Sequence, residues 1–158
     1  MNNDQQLREQ LISLLDGGNA HVTFSDFVKD FPVEKCGVPI EGLPYTAWQV
    51  LEHMRIAQWD ILEFSRDANH VSPGWPKGYW PGEAETGSAA LWNETVAKFE
   101  QDLEAFADLV RSPSIDLFAK IPHGTGQTIL REGLLLADHS SNHLGALIAM
   151  SRILRNLD

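Results

Sequence analysis

An all-α chain is what the sequence predicts, and within that class an antiparallel four-helix bundle with long inter-helix loops. Three observations predict it. Apolar residues recur at helical three- and four-residue steps in four long stretches. No segment sustains the two-residue alternation of a strand. The stretches are separated by segments rich in proline and glycine.

Leu7, Leu11 and Leu14 give the first helix its apolar stripe, and Gly17-Gly18 interrupts it. Phe24, Phe27, Val28 and Phe31 make a second, short stripe, which either continues the first helix or starts afresh. Residues 32–45 carry three prolines and two glycines and read as a loop. The next helix has a sharp start. Thr46 and Gln49 fit a capping box, with Tyr45 and Val50 at the positions of a hydrophobic staple. Val50, Met54, Ala57, Ile61 and Phe64 then step along a core-facing seam.

Residues 69–87 hold Trp75, Tyr79 and Trp80 among prolines and glycines. Aromatic side chains are costly to leave in water, so this segment reads as a structured loop. Its rings wall a ligand pocket or pack over the end of the bundle. Long loops of this kind in compact domains are often functional. A third long helix runs from about Ser88 to Ser112 on Trp92, Val96, Phe99, Leu103, Phe106 and Val110. The last spans about Gln127 to Asn156.

At 158 residues the chain is the size of one domain, taken as residues 1–158. Hydrophobic residues make up 43% and charged residues 22%, the composition of a globular protein. The formal net charge of −10 argues against nucleic acid and against an anionic membrane surface as partners. The single cysteine, Cys36, excludes an internal disulfide and a cysteine-rich zinc site. With neither a signal-peptide pattern at the N-terminus nor an apolar run of membrane-spanning length, this composition leads to the expectation of a cytoplasmic protein.

The last helix carries the feature with chemistry in it. Its inward seam reads Leu136, His139, His143, Leu147, Met150 and Leu154. At about 100° per residue, two imidazoles four residues apart share one face, one turn apart, where they can share a metal ion. A metalloprotease would place a glutamate next to the first of them, and His139-Ser-Ser-Asn-His143 has none. His53, on the second long helix, lies at the border of that helix's buried face and offers a third nitrogen. Three neutral nitrogen ligands leave a position open for water or substrate, which suits catalysis better than a closed structural site. A polar core network, a capping role or a pH-sensitive contact would also account for buried imidazoles.

The remaining candidates carry less. His21, His70 and His123 read as solvated loop histidines. Glu52 and Asp138, each preceding a candidate ligand, point away from the ligand face toward solvent, with a role in orienting an imidazole as the alternative. Cys36 reads as a buried, inert thiol. The Gly-x-Gly at 124–126 follows no strand and is too weak for a phosphate loop.

Three segments together resemble a known family: Tyr45-Thr-Ala-Trp-Gln-Val-Leu-Glu-His53, the loop Pro73-Gly-Trp75-Pro-Lys-Gly-Tyr-Trp80-Pro, and His139-Ser-Ser-Asn-His143-Leu-Gly. They are similar to the DinB/YfiT-like superfamily of metal-dependent enzymes, from about residue 40 to the end and more loosely over the first helix. The resemblance implies a four-helix bundle, commonly a homodimer. It implies a divalent metal ion, zinc or nickel, held by His53, His139 and His143. Characterised relatives use low-molecular-weight thiols, in isomerisation or S-transfer. The sequence departs from the commonest pattern at Ala146, where a glutamine often follows the His-x-Gly.

These readings converge on an enzyme acting on a small-molecule substrate, with thiol S-transfer as the leading reaction and metal-dependent hydrolysis as its variant. A metal bound at the histidines would lower the pKa of a water or thiol near neutral pH. The acidic chain would need a local cation to attract an anionic thiol, and Arg55 and Arg131 stand as candidates. The rival readings are a metal-binding stress-response or interaction module without turnover, and a helical dimer with a histidine network in its core.

Overall fold

A computed structural model describes residues 2–157. It is all-helical, with five α-helices and no strand among the described residues: α1 (Asn3–Asp16), α2 (Phe24–Asp30), α3 (Ala47–Arg66), α4 (Ala89–Arg111) and α5 (Ile129–Arg155). Short 3-10 turns at Val33–Lys35 and Lys77–Tyr79 punctuate the two long loops. None of the helices is long and apolar enough to cross a membrane.

Local chemistry sets the helix ends. Asn2, Thr23, Thr46, Ser88 and Thr128 each accept a backbone N–H with the side chain at a helix start. At α3 the capping box is complete. Thr46 Oγ1 accepts from the Gln49 amide at 3.2 Å, and Gln49 Oε1 accepts from the Thr46 amide at 2.9 Å. The second short stripe therefore begins a new helix behind Thr23 and does not continue the first. The last helix begins at Ile129, behind Thr128, slightly later than its apolar pattern suggests.

Packing follows the seams closely in α3 and α4 and less so in α1. Leu11 is buried as expected, but Leu14 is 48% exposed and Leu15 takes the inward position. The reason is Arg8, which is buried on the same face. Its guanidinium donates to the carbonyls of Val110 at 2.7 Å, Ser112 at 3.0 Å and Ile115 at 2.7 Å. Val110 and Ser112 stand at the end of α4, where a cation is favoured, and Ile115 lies in the loop just beyond it.

α3 packs against both α4 and α5, and α1 packs against the same two helices. The apolar core forms two clusters. One is built around Trp48, Leu51, Met54, Trp92, Phe99 and Leu147, with Phe31 stacked on Trp92 at 4.0 Å. The other is built around Leu11, Leu62, Phe106, Val110, Leu117 and Leu136. Each of these large side chains contributes about 1.5–3 kcal/mol on burial.

The loop 69–87 is pinned at its far end to the start of α3. Thr46 Oγ1 donates to the Thr86 carbonyl at 2.7 Å. Gly87 follows with φ of 103°, where a Cβ would lie 2.5 Å from the Cβ of Trp48, so no side chain fits. Within the loop Trp75 is 79% exposed, despite the cost of leaving an aromatic ring in water. Tyr79 and Trp80 fold back onto the protein.

Candidate metal centre

α3 and α5 bring His53, His139 and His143 together. One ring nitrogen from each lies within 4.8 Å of the other two. The ring centroids are 4.9 Å (His53–His139), 4.7 Å (His53–His143) and 4.5 Å (His139–His143), and each pair meets edge-on. His53 is buried and the other two are half-buried.

Hydrogen bonding fixes the tautomer of His53. Its Nδ1 lies 2.8 Å from the Tyr79 carbonyl, which only accepts, so Nδ1 carries the proton and Nε2 presents a lone pair. That Nε2 faces Nε2 of His139 at 3.0 Å. Either His139 donates a proton there, which strips its own Nδ1, or two lone pairs face each other. Nδ1 of His139 is buried and has no hydrogen-bond partner among the described residues. An uncompensated buried polar atom is unfavourable, and a cation between the facing lone pairs would relieve the arrangement at Nε2. The donor set therefore fits a divalent metal: three imidazoles with no carboxylate or thiolate among them, of the kind that zinc, nickel, copper and iron accept.

Electrostatics keeps the rings in the ligand form. Burial lowers the pKa of all three histidines below the ordinary 6.5. For His139 it falls to about 4, through burial and then through repulsion from His143 and His53. At neutral pH the rings are uncharged and free to donate electron pairs.

Behind His53 lies a latch that sequence reading missed. Asp60, buried on α3, accepts from the Tyr79 hydroxyl at 2.6 Å, and its other oxygen lies 2.7 Å from Nε2 of His70. Burial, then the Asp60 contact, pushes the Tyr79 phenol up to about 12, so it stays protonated and donating. Tyr79 is thereby held so that its carbonyl orients His53. The next residue, Trp80, stacks on His53 at 4.0 Å with the planes 2° apart, and on Tyr45 at 3.8 Å.

His70, expected in solvent, has a side chain only 8% exposed because Asp60 binds it. His21 and His123 lie in exposed positions, contacting the Val22 and Phe64 carbonyls. Glu52 does not point into solvent. It accepts from Thr95 at 3.0 Å and pairs with Arg55 at 2.7 Å, and Thr95 accepts from the Trp48 indole at 3.2 Å. Asp138 is exposed, as expected. Arg55 and Arg131 are each engaged by an acidic neighbour, Glu52 and Glu132. Cys36 is buried, and burial raises its pKa, so it is no nucleophile at neutral pH.

Fold and site together define a helical protein whose three clustered histidines could hold a metal ion. A family model of the DinB superfamily matches residues 19–147, a stretch that contains all three histidines, and the chain belongs to that superfamily. No curated protein and no solved structure matches it.

Proposed function

We propose that this protein is a divalent-metal-dependent enzyme whose ligands are His53, His139 and His143, and that it acts on a small molecule at the position those three leave open. The observation that carries this reading is the pair of Nε2 atoms 3.0 Å apart, one with its tautomer fixed so that its lone pair faces the other. Zinc and nickel are the ions proposed. When bound, such an ion supplies a Lewis acid that makes a thiol or water reactive near neutral pH.

The chain's own residues supply the rest. Tyr79 orients His53 through its carbonyl, and Trp80 covers the ring and limits solvent there. An anionic thiol needs a cation. Lys77 is a cation on the other side of Trp80, in a chamber of about 410 Å³ that Glu83 also lines and that none of the three histidines lines, so S-transfer of a low-molecular-weight thiol, the leading reaction, rests on the family resemblance. Metal-dependent hydrolysis is the variant.

The same reading takes the chain as one domain, with α1, α3, α4 and α5 as an antiparallel four-helix bundle. The packing of α1 and α3 each against both α4 and α5 supports it. A homodimer working in the cytoplasm completes the proposal and rests on the family resemblance and the composition.

Turnover with a panel of thiols and electrophiles, on zinc- and nickel-loaded protein, tests the function. Activity that depends on metal and on thiol, and that His53→Ala abolishes with little loss of thermal stability, is the expected outcome. Metal bound at full occupancy without turnover on any pair would favour a metal-binding module.

A further inference from the structure

A groove of about 470 Å³ opens beside His143. It lies between the loop before α3 and the last turns of α5. Leu43, Val50, Trp80, Ala149 and Met150 line it together with His143. Its volume is that of an ordinary small-molecule site. Apart from His143, no residue lining it has an ionisable side chain other than the Tyr45 phenol. The acidic surface of the chain does not extend into it.

The contrast with its neighbour is informative. Tyr45 and Trp80 also line the polar chamber that holds Lys77, Gln49 and Glu83. The two stacked rings thus stand between a polar space and an apolar one, and the apolar one reaches a histidine of the cluster. Away from His143, where a bound metal would supply positive charge, an ionic group placed in the groove would lose water and find no counter-charge in the wall. An uncharged aromatic or branched aliphatic body would lose only unfavourable hydration.

We infer that this groove binds the uncharged, apolar body of the substrate and presents its reacting atom to the histidine cluster at His143. The substrate class is a neutral hydrophobic small molecule, with any charged partner held on the far side of Trp80. The inference deepens the proposed function and rests on the cluster being the reacting centre.

The test uses N-phenylnaphthylamine, a neutral fluorophore that brightens in apolar sites, with its sulfonated analogue as the charged control. Binding is titrated on zinc-free and zinc-loaded full-length protein, with size-exclusion chromatography on every variant. One site per chain is expected, with the neutral probe bound more tightly than the sulfonate. Ala149→Trp, at an exposed position on α5, fills the groove, and Leu43→Asp places a carboxylate in its wall. Each should weaken the neutral probe at least about tenfold, which is about 1.4 kcal/mol. Lys77→Ala should leave it unchanged.

Undiminished binding in both groove variants, tighter binding of the sulfonate, or no binding at all would overturn the inference. So would a dimer that Ala149→Trp splits, which would make the groove a face between copies. Metal and groove separate cleanly. His139→Ala removes a ligand that does not line the groove, so it should lose zinc and keep the probe. Zinc without probe binding rejects the groove alone, and probe without zinc rejects the metal centre alone.

Discussion

Asp60 shows how a residue outside the histidine cluster can set its geometry. Its two oxygens hold Tyr79 and His70, and Tyr79 in turn meets Nδ1 of His53. A buried carboxylate in this position orders a loop that contains no regular secondary structure beyond one 3-10 turn. Partners that orient a metal-binding imidazole typically change metal affinity about 10–100-fold when lost. Asp60→Asn should therefore loosen zinc by at least about tenfold in a chelator competition while the helical content holds. Unchanged zinc affinity in that variant would mean that Tyr79 is held by packing alone. The latch left no mark in the sequence pattern because its partners are 10 and 19 residues apart across an irregular segment.

At the scale of the element, α3 is where sequence and structure agree most closely. The capping box was legible because it depends on residues three positions apart, and the seam because burial follows the helical period. Thr46→Ala removes the cap and the bond to Thr86 together. It should cost about 1–2 kcal/mol in urea unfolding with the slope unchanged. A loss within about 0.3 kcal/mol would contradict the assigned role. The paired histidines of α5 were legible for the same reason, since two imidazoles on an apolar stripe break a pattern. Arg8 and Leu15 were not legible. A charged residue on the inward face of α1 makes sense only once the carbonyls at the end of α4 and in the loop after it are in place. Glu52 likewise turned inward to a residue of another helix, Thr95, which no local spacing reveals. The stacking of Trp80 on His53 depends on how the loop returns, and that return is set by tertiary contacts at Thr86 and Gly87.

For the whole molecule, the buried neutral histidines make stability depend on pH. In the unfolded chain these rings take up protons near 6.5, whereas folded His139 does so only near about 4. Between those values the unfolded state binds more protons, so stability is full above the unfolded pKa and is lost as pH falls through the folded one. His53 and His143 shift in the same direction. The Tm of metal-free protein should fall steadily from about pH 6.5 to about pH 4, and His139→Ala should flatten part of that slope. A Tm that stays level across this range would contradict the burial assigned to the three rings.

Metal content decides whether His53, His139 and His143 form one metal centre. It would be measured by mass spectrometry on tag-free protein offered zinc or nickel, beside a His139→Ala/His143→Ala variant. About one ion per chain in the parent and none in the variant is the expected result. No ion in either protein, or an ion retained by the variant, would contradict it.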